Sequence, residues 1–166
     1  MPHIRKVYDE LLELERELAS LRQLVQKERQ DIVQLDFAGL HADQIGIEAA
    51  LGRINPLNAR LTSDIDEACR LCGVEGDRTL SPLIGAIPKP DREEFARIQK
   101  GVQGLSSMVE NDLAINRALL RDSLEFTNKS LGFFSSTIRK SAPSTYGSQG
   151  RFIDATDQPR IICKEI

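Results

Sequence analysis

Cysteine, histidine and paired carboxylates are the side chains of this sequence with the widest chemical reach, and their spacing narrows what they can do. Cys69-Arg70-Leu71-Cys72 has the spacing of a redox pair or of half a zinc site. A redox cysteine needs a depressed pKa, commonly from a helix N-terminus, whereas these two fall at an expected helix C-terminus just before Gly73, where the dipole disfavours thiolate. A zinc site would have to draw its remaining ligands from Cys163 near the chain end or from two distant histidines, His3 and His41. The pair therefore reads as two small apolar residues. Neither histidine stands in a pattern with Ser, Cys or carboxylate that resembles a triad. Asp9-Glu10, Asp64 with Asp66, and Glu93-Glu94 read as solvated faces and helix N-terminal charge. Gly101, Gly104 and Gly132 lie inside a helical pattern instead of forming a phosphate loop. No catalytic residue, metal set or cofactor is expected, and the chain reads as a non-enzyme.

The elements that would position these residues follow from composition and periodicity. A chain of 166 residues can bury a sizeable core in one domain, and 40% hydrophobic with 28% charged residues suits a soluble, folded protein. A net charge of -3, with basic residues interleaved by acids, argues against nucleic acid or an anionic membrane as partner. No membrane insertion is expected either. Acidic residues from Asp9 to Glu17 interrupt any apolar run of the kind a signal peptide needs, and three cysteines do not make a disulfide framework, so a cytoplasmic address is expected.

From Pro2 to about Gln34 the apolar residues Ile4, Val7, Leu11, Leu14, Leu18, Leu21, Val25 and Ile32 fall in alternating steps of three and four, the seam of a coiled coil or helix bundle. Glu28 occupies one apolar slot of that seam. Asp36 offers an N-cap for a second helix running to about Cys72 with Gly73 as its C-cap, and Pro56 predicts a kink or short break near Asn55. Val74 to Pro90 reads as a connection holding one short helix capped by Ser81 before Pro82. Asp91 with Glu94 has the form of a capping box opening the longest helix, which continues to roughly Arg139. The apolar stripe of that helix includes Phe95, Ile98, Val102, Leu105, Val109, Leu113, Asn116, Leu120, Leu124, Leu131, Phe134 and Ile138, with Met108, Ile115, Leu119, Phe126 and Phe133 beside it. Residues 141–166, rich in Gly, Pro, Ser, Thr and charge, read as a flexible tail.

The expected fold is all-α: an elongated antiparallel three-helix bundle or coiled coil over residues 1–140, with a long C-terminal helix and a tail over 141–166. At about 1.5 Å per residue the long helix outruns its neighbours, leaving Leu131, Phe133, Phe134 and Ile138 without a partner inside the chain. Two roles are open to such a surface: capture of an amphipathic helix, or self-association as a coiled-coil adaptor or scaffold.

One stretch is more specific. Asn111, Asn116, Leu119, Leu120, Leu124 and Phe126 match the form N-x4-N-x2-L-L-x3-L-x-F, and Thr145-Tyr146-Gly147 with Gly150 follows after the long helix. This pattern resembles the FlgN family of flagellar export chaperones, and the heptad first helix and proline-rich connection are compatible with it. The resemblance implies a cytoplasmic, non-enzymatic chaperone that binds the C-terminal helical segments of the hook–filament junction proteins FlgK and FlgL, keeps them unpolymerised and presents them to the type III export apparatus. Leu119, Leu120, Leu124, Phe126, Leu131, Phe133, Phe134 and Ile138 are then the expected partner-binding residues, with Tyr146 closing over them. Asn111 and Asn116 are expected to set helix register as polar residues on an apolar stripe. Weak homo-oligomerisation is compatible with the same surface.

Overall fold

The computed structural model describes residues 2–89 and 91–141, with side chains described as far as residue 137. Its elements are α1 (Pro2–Gln34), α2 (Phe37–Leu71), the short α3 (Leu80–Ala86) and α4 (Asp91–Ser141). There is no strand among the described residues, and the architecture is an all-α helical bundle. The chain divides into two compact units, Met1–Leu120 and Arg121–Ile166. The first holds the core.

In the first unit the expected seam is the one that is buried. Val7, Leu11, Leu14, Leu18, Leu21 and Val25 of α1 form one core cluster with Ala50, Ile54, Leu57, Leu61 and Ala68 of α2, and Ile32 is buried as well. Phe95, Ile98 and Val109 of α4 join them, as do Leu83, Ile84 and Ile87 from α3 and its exit. Helices α1 and α2 run antiparallel, since Lys6 pairs with Asp64, Glu17 with Arg53 and Lys27 with Asp43. Helix α4 returns parallel to α1: Tyr8 bonds Glu94, and Arg22 bonds Asp112.

Both long-helix exits close by the same device with different residues. At the end of α2 the Gly73 amide donates to the Arg70 carbonyl and the Val74 amide to that of Cys69, with Gly73 at φ +69°. This is a Schellman motif with glycine in its left-handed position. At the end of α1 the Leu35 amide donates to Ile32 and the Asp36 amide to Asp31, but the left-handed residue is Leu35, at φ +57°. A side chain there costs roughly 1–2 kcal/mol. Asp36 then caps α2 as expected, its carboxylate accepting from the amides of Ala38 and Gly39 at 3.1 and 3.0 Å. A Cβ at Gly39 would overlap the Asp31 carboxylate, which would have to move to admit one.

Three local expectations are corrected. Of the kink or short break expected at Pro56, the break does not occur, and α2 is continuous there. Pro56 and Gly52, whose carbonyl loses its helical partner to the proline, both lie on the exposed side, where water can take that carbonyl. The cap of α3 is Thr79 and not Ser81, so Pro82 sits within the first turn, whose amides need no helical partner anyway. Ser81 instead accepts a hydrogen bond from Gln99 on α4. Asp91 is already helical, and no capping box forms with Glu94, whose carboxylate turns to the Tyr8 hydroxyl at 3.2 Å.

Candidate partner-binding surface

Helix α4 carries most of the residues expected to bind a partner, and its two parts are built differently. Within the first unit its apolar side faces α1 and ends in a polar lock. Asn116 is 2% exposed. Its amide nitrogen donates to the Val25 carbonyl at 2.8 Å and to Glu28 Oε2 at 2.7 Å, while its oxygen accepts from Arg29 Nε at 3.0 Å. Arg29 also reaches Asp112 Oδ1 at 2.7 Å, and Arg22 reaches Asp112 Oδ2 at 3.2 Å. The Arg29 guanidinium, with Arg22 adding to it, holds the Asp112 carboxyl below the usual carboxylate range despite burial. Two carboxylates and two guanidiniums thus close a balanced network around one buried amide.

This network explains the acid in the heptad seam: Glu28 is where α1 receives Asn116. Asn111, expected beside Asn116, is exposed, and Asp112 stands next to Asn116 instead. The reason is helical geometry. Residues four apart share a face, whereas residues five apart are turned about 140° from each other. Arg22, Arg29 and Asp112 complete the site beyond the asparagines read from the sequence, and for Asp112 the four-residue spacing from Asn116 is the available signal.

Leu119 is half-buried and Leu120 is 44% exposed at the end of the first unit. In the second unit the helix meets solvent with its large side chains: Leu124 is 62%, Phe126 73%, Leu131 60%, Phe133 66% and Phe134 60% exposed. At about 100° per residue these fall into two rows, Leu124, Leu131 and Phe134 on one side, Phe126 and Phe133 on another. Phe133 and Phe134 bridge the rows edge to face, their ring centroids 6.0 Å apart. Thr127, Ser135 and Ser136 each donate back to a helix carbonyl at 2.8–2.9 Å. The side chain of Ile138 and the whole of Tyr146 lie outside the described residues.

Nothing in this arrangement resembles an active site. Cys69 is fully buried against the Thr79 carbonyl, and burial pushes its thiol up, away from thiolate. Among the described residues no group of three or more His, Cys, Asp and Glu side chains could hold a metal ion, and no helix is long and apolar enough to cross a membrane. What the surface offers is apolar area on a helical rod.

No curated protein and no solved structure matches the chain. The family model of the FlgN protein matches residues 1–152, nearly the whole chain, so this protein belongs to the FlgN family of flagellar export chaperones, which bind hook-associated proteins.

Proposed function

We propose that this chain is a cytoplasmic export chaperone whose α4, beyond the bundle core, receives the C-terminal amphipathic helices of hook–filament junction proteins of the FlgK and FlgL type. Holding those segments keeps them unpolymerised until they are passed to the type III export apparatus. The observation that carries this reading is the set of five large apolar side chains from Leu124 to Phe134, each at least 60% exposed. Single exposed apolar residues are ordinary on a protein surface, but a contiguous set in two helical rows is the footprint of helix-in-groove or helix-on-helix recognition. Two rows suit a partner that wraps the rod or lays down more than one helix. Each large side chain covered contributes roughly 1.5–3 kcal/mol before the costs of association, so two or three anchors can dominate the affinity.

The test is titration of the full chain with a peptide spanning the C-terminal helical segment of a junction protein, with sedimentation of the free chain alongside. Saturable binding that is lost in Leu124→Ser/Leu131→Ser supports the proposal. A free chain that dimerises through these rows and ignores the peptide contradicts it and supports a self-associating scaffold.

A further inference from the structure

The exposed stretch of α4 in the second unit has a width as well as a length, and the width bears on how many helices can cover it. Placed at about 100° per residue around the helix, Leu124, Leu131, Phe134, Phe126 and Phe133 follow one another over about 180°. The charged residues of 121–137 are Arg121, Asp122, Glu125 and Lys129, and all four fall in the opposite half. Two of them, Glu125 and Lys129, pair with each other there. One half of this helix is therefore free of charge and carries all five exposed large side chains.

The first unit shows how much of α4 a neighbour in the bundle covers. On the same reckoning the buried and half-buried residues of 111–120, which are Asp112, Leu113, Asn116 and Leu119, span about 120°. Ile115 lies about 40° outside that arc and is 38% exposed. An arc of such width on the second unit's stretch takes in Leu124, Leu131 and Phe134, or Phe134, Phe126 and Phe133, but never both ends of the set. One covering helix thus leaves a row of large side chains in water. A second copy of this chain has the same shortfall, because two apposed α4 helices would each cover one row of the other and expose the remaining one.

We propose that α4 from Leu124 to Phe134 is the central helix of a three-helix assembly, in which one partner chain lays down two amphipathic helices, one on each row. The inference rests on the reading of residues 124–134 as the partner surface and adds the number of helices they receive. It also specifies their chemistry. Each partner helix presents an uncharged stripe, since this half of α4 holds no charge to meet one, and the stripe with Arg121, Asp122, Glu125 and Lys129 stays in water.

The experiment uses the full chain with isotope-labelled leucine methyls and phenylalanine rings. The probe is a peptide spanning the C-terminal helical segment of a junction protein, long enough for two helices. The Leu124 and Leu131 methyls and the Phe126 and Phe133 rings are expected to shift together on one saturation curve, at one peptide per chain. Phe126→Ser/Phe133→Ser, which leaves Leu124 and Leu131 in place, should weaken binding at least tenfold while the buried Leu57 methyls stay at their parent positions. Saturable binding with shifts confined to one row, two peptides bound per chain, or parent-like affinity of Phe126→Ser/Phe133→Ser would each overturn the two-helix inference and leave the partner surface standing. Absence of saturable binding would overturn both.

Discussion

Helix α4 carries one apolar pattern through 51 residues but two fates for it. Up to Asn116 the stripe is covered: Phe95, Ile98 and Val109 are buried in the core, and the polar interruption is satisfied by α1. From Leu124 to Phe134 residues of the same types at the same spacing are exposed. Periodicity tells a helix which side is apolar, not what will cover it. The first stretch has its partners in its own chain, where folding supplies the burial. The second has the same burial free energy still unspent, which is the ground for proposing it as the partner surface.

The contrast predicts opposite responses to the same kind of substitution. The largest effect is expected in the covered part: Phe95→Ala should destabilise the fold by about 3–5 kcal/mol, measured by chemical denaturation, because it deletes a buried ring and leaves a cavity. A loss below about 1 kcal/mol would mean that α4 is not held by this packing. Next comes the polar lock, where Asp112→Ala should cost about 2 kcal/mol by removing the carboxylate that accepts from both Arg29 and Arg22. Its pH dependence has a definite sign. The Asp112 pKa is depressed in the folded state, so its contribution is complete above the ordinary carboxylate range and is lost as pH falls through the folded value. Denaturation profiles of the parent and of Asp112→Asn should therefore converge in acid.

Glu10 has the reverse sign. Burial first, and then the neighbouring Asp64 carboxyl, raise its pKa, so stability declines as pH rises from the ordinary glutamate range through the raised value. Glu10→Gln should gain about 1 kcal/mol at neutral pH and lose that advantage in acid. A smaller effect is expected at the strained turn, where Leu35→Gly should stabilise by about 0.5–1 kcal/mol, the relief of the left-handed leucine less the added freedom of the unfolded chain. In the uncovered stretch, Leu124→Ser/Leu131→Ser and Phe126→Ser/Phe133→Ser should each shift stability by less than about 0.5 kcal/mol per site. Any difference between these two pairs in partner binding would show which row is the main contact.

Much of the fold was legible in the residues. The heptad of α1, the Asp36 cap, the Gly73 exit and the long last helix all rest on local patterns whose physical causes act within a few residues. What could not be read was long-range. Glu28 looks like a flaw in the seam until Asn116 arrives from 88 residues away. Pro56 offered a kink or a short break near Asn55, and the helix runs on through it with that side exposed. Asp91 and Glu94 have capping-box spacing, but the Tyr8 hydroxyl competes for Glu94. The partner-binding candidates were named as one set; helical geometry divides those from Leu124 to Phe134 into two rows, a distinction available from residue spacing alone once the helix is continuous.

The most direct measurement compares binding with melting in one variant. Phe133→Ser/Phe134→Ser removes a ring from each row. Titrated with the C-terminal helical segment of a junction protein, it should bind at least tenfold more weakly than the parent, a difference of about 1.4 kcal/mol, while its melting transition stays where the parent's is. Parent-like affinity, or a melting transition well below the parent's, would contradict the claim that these rings are held in reserve for a partner.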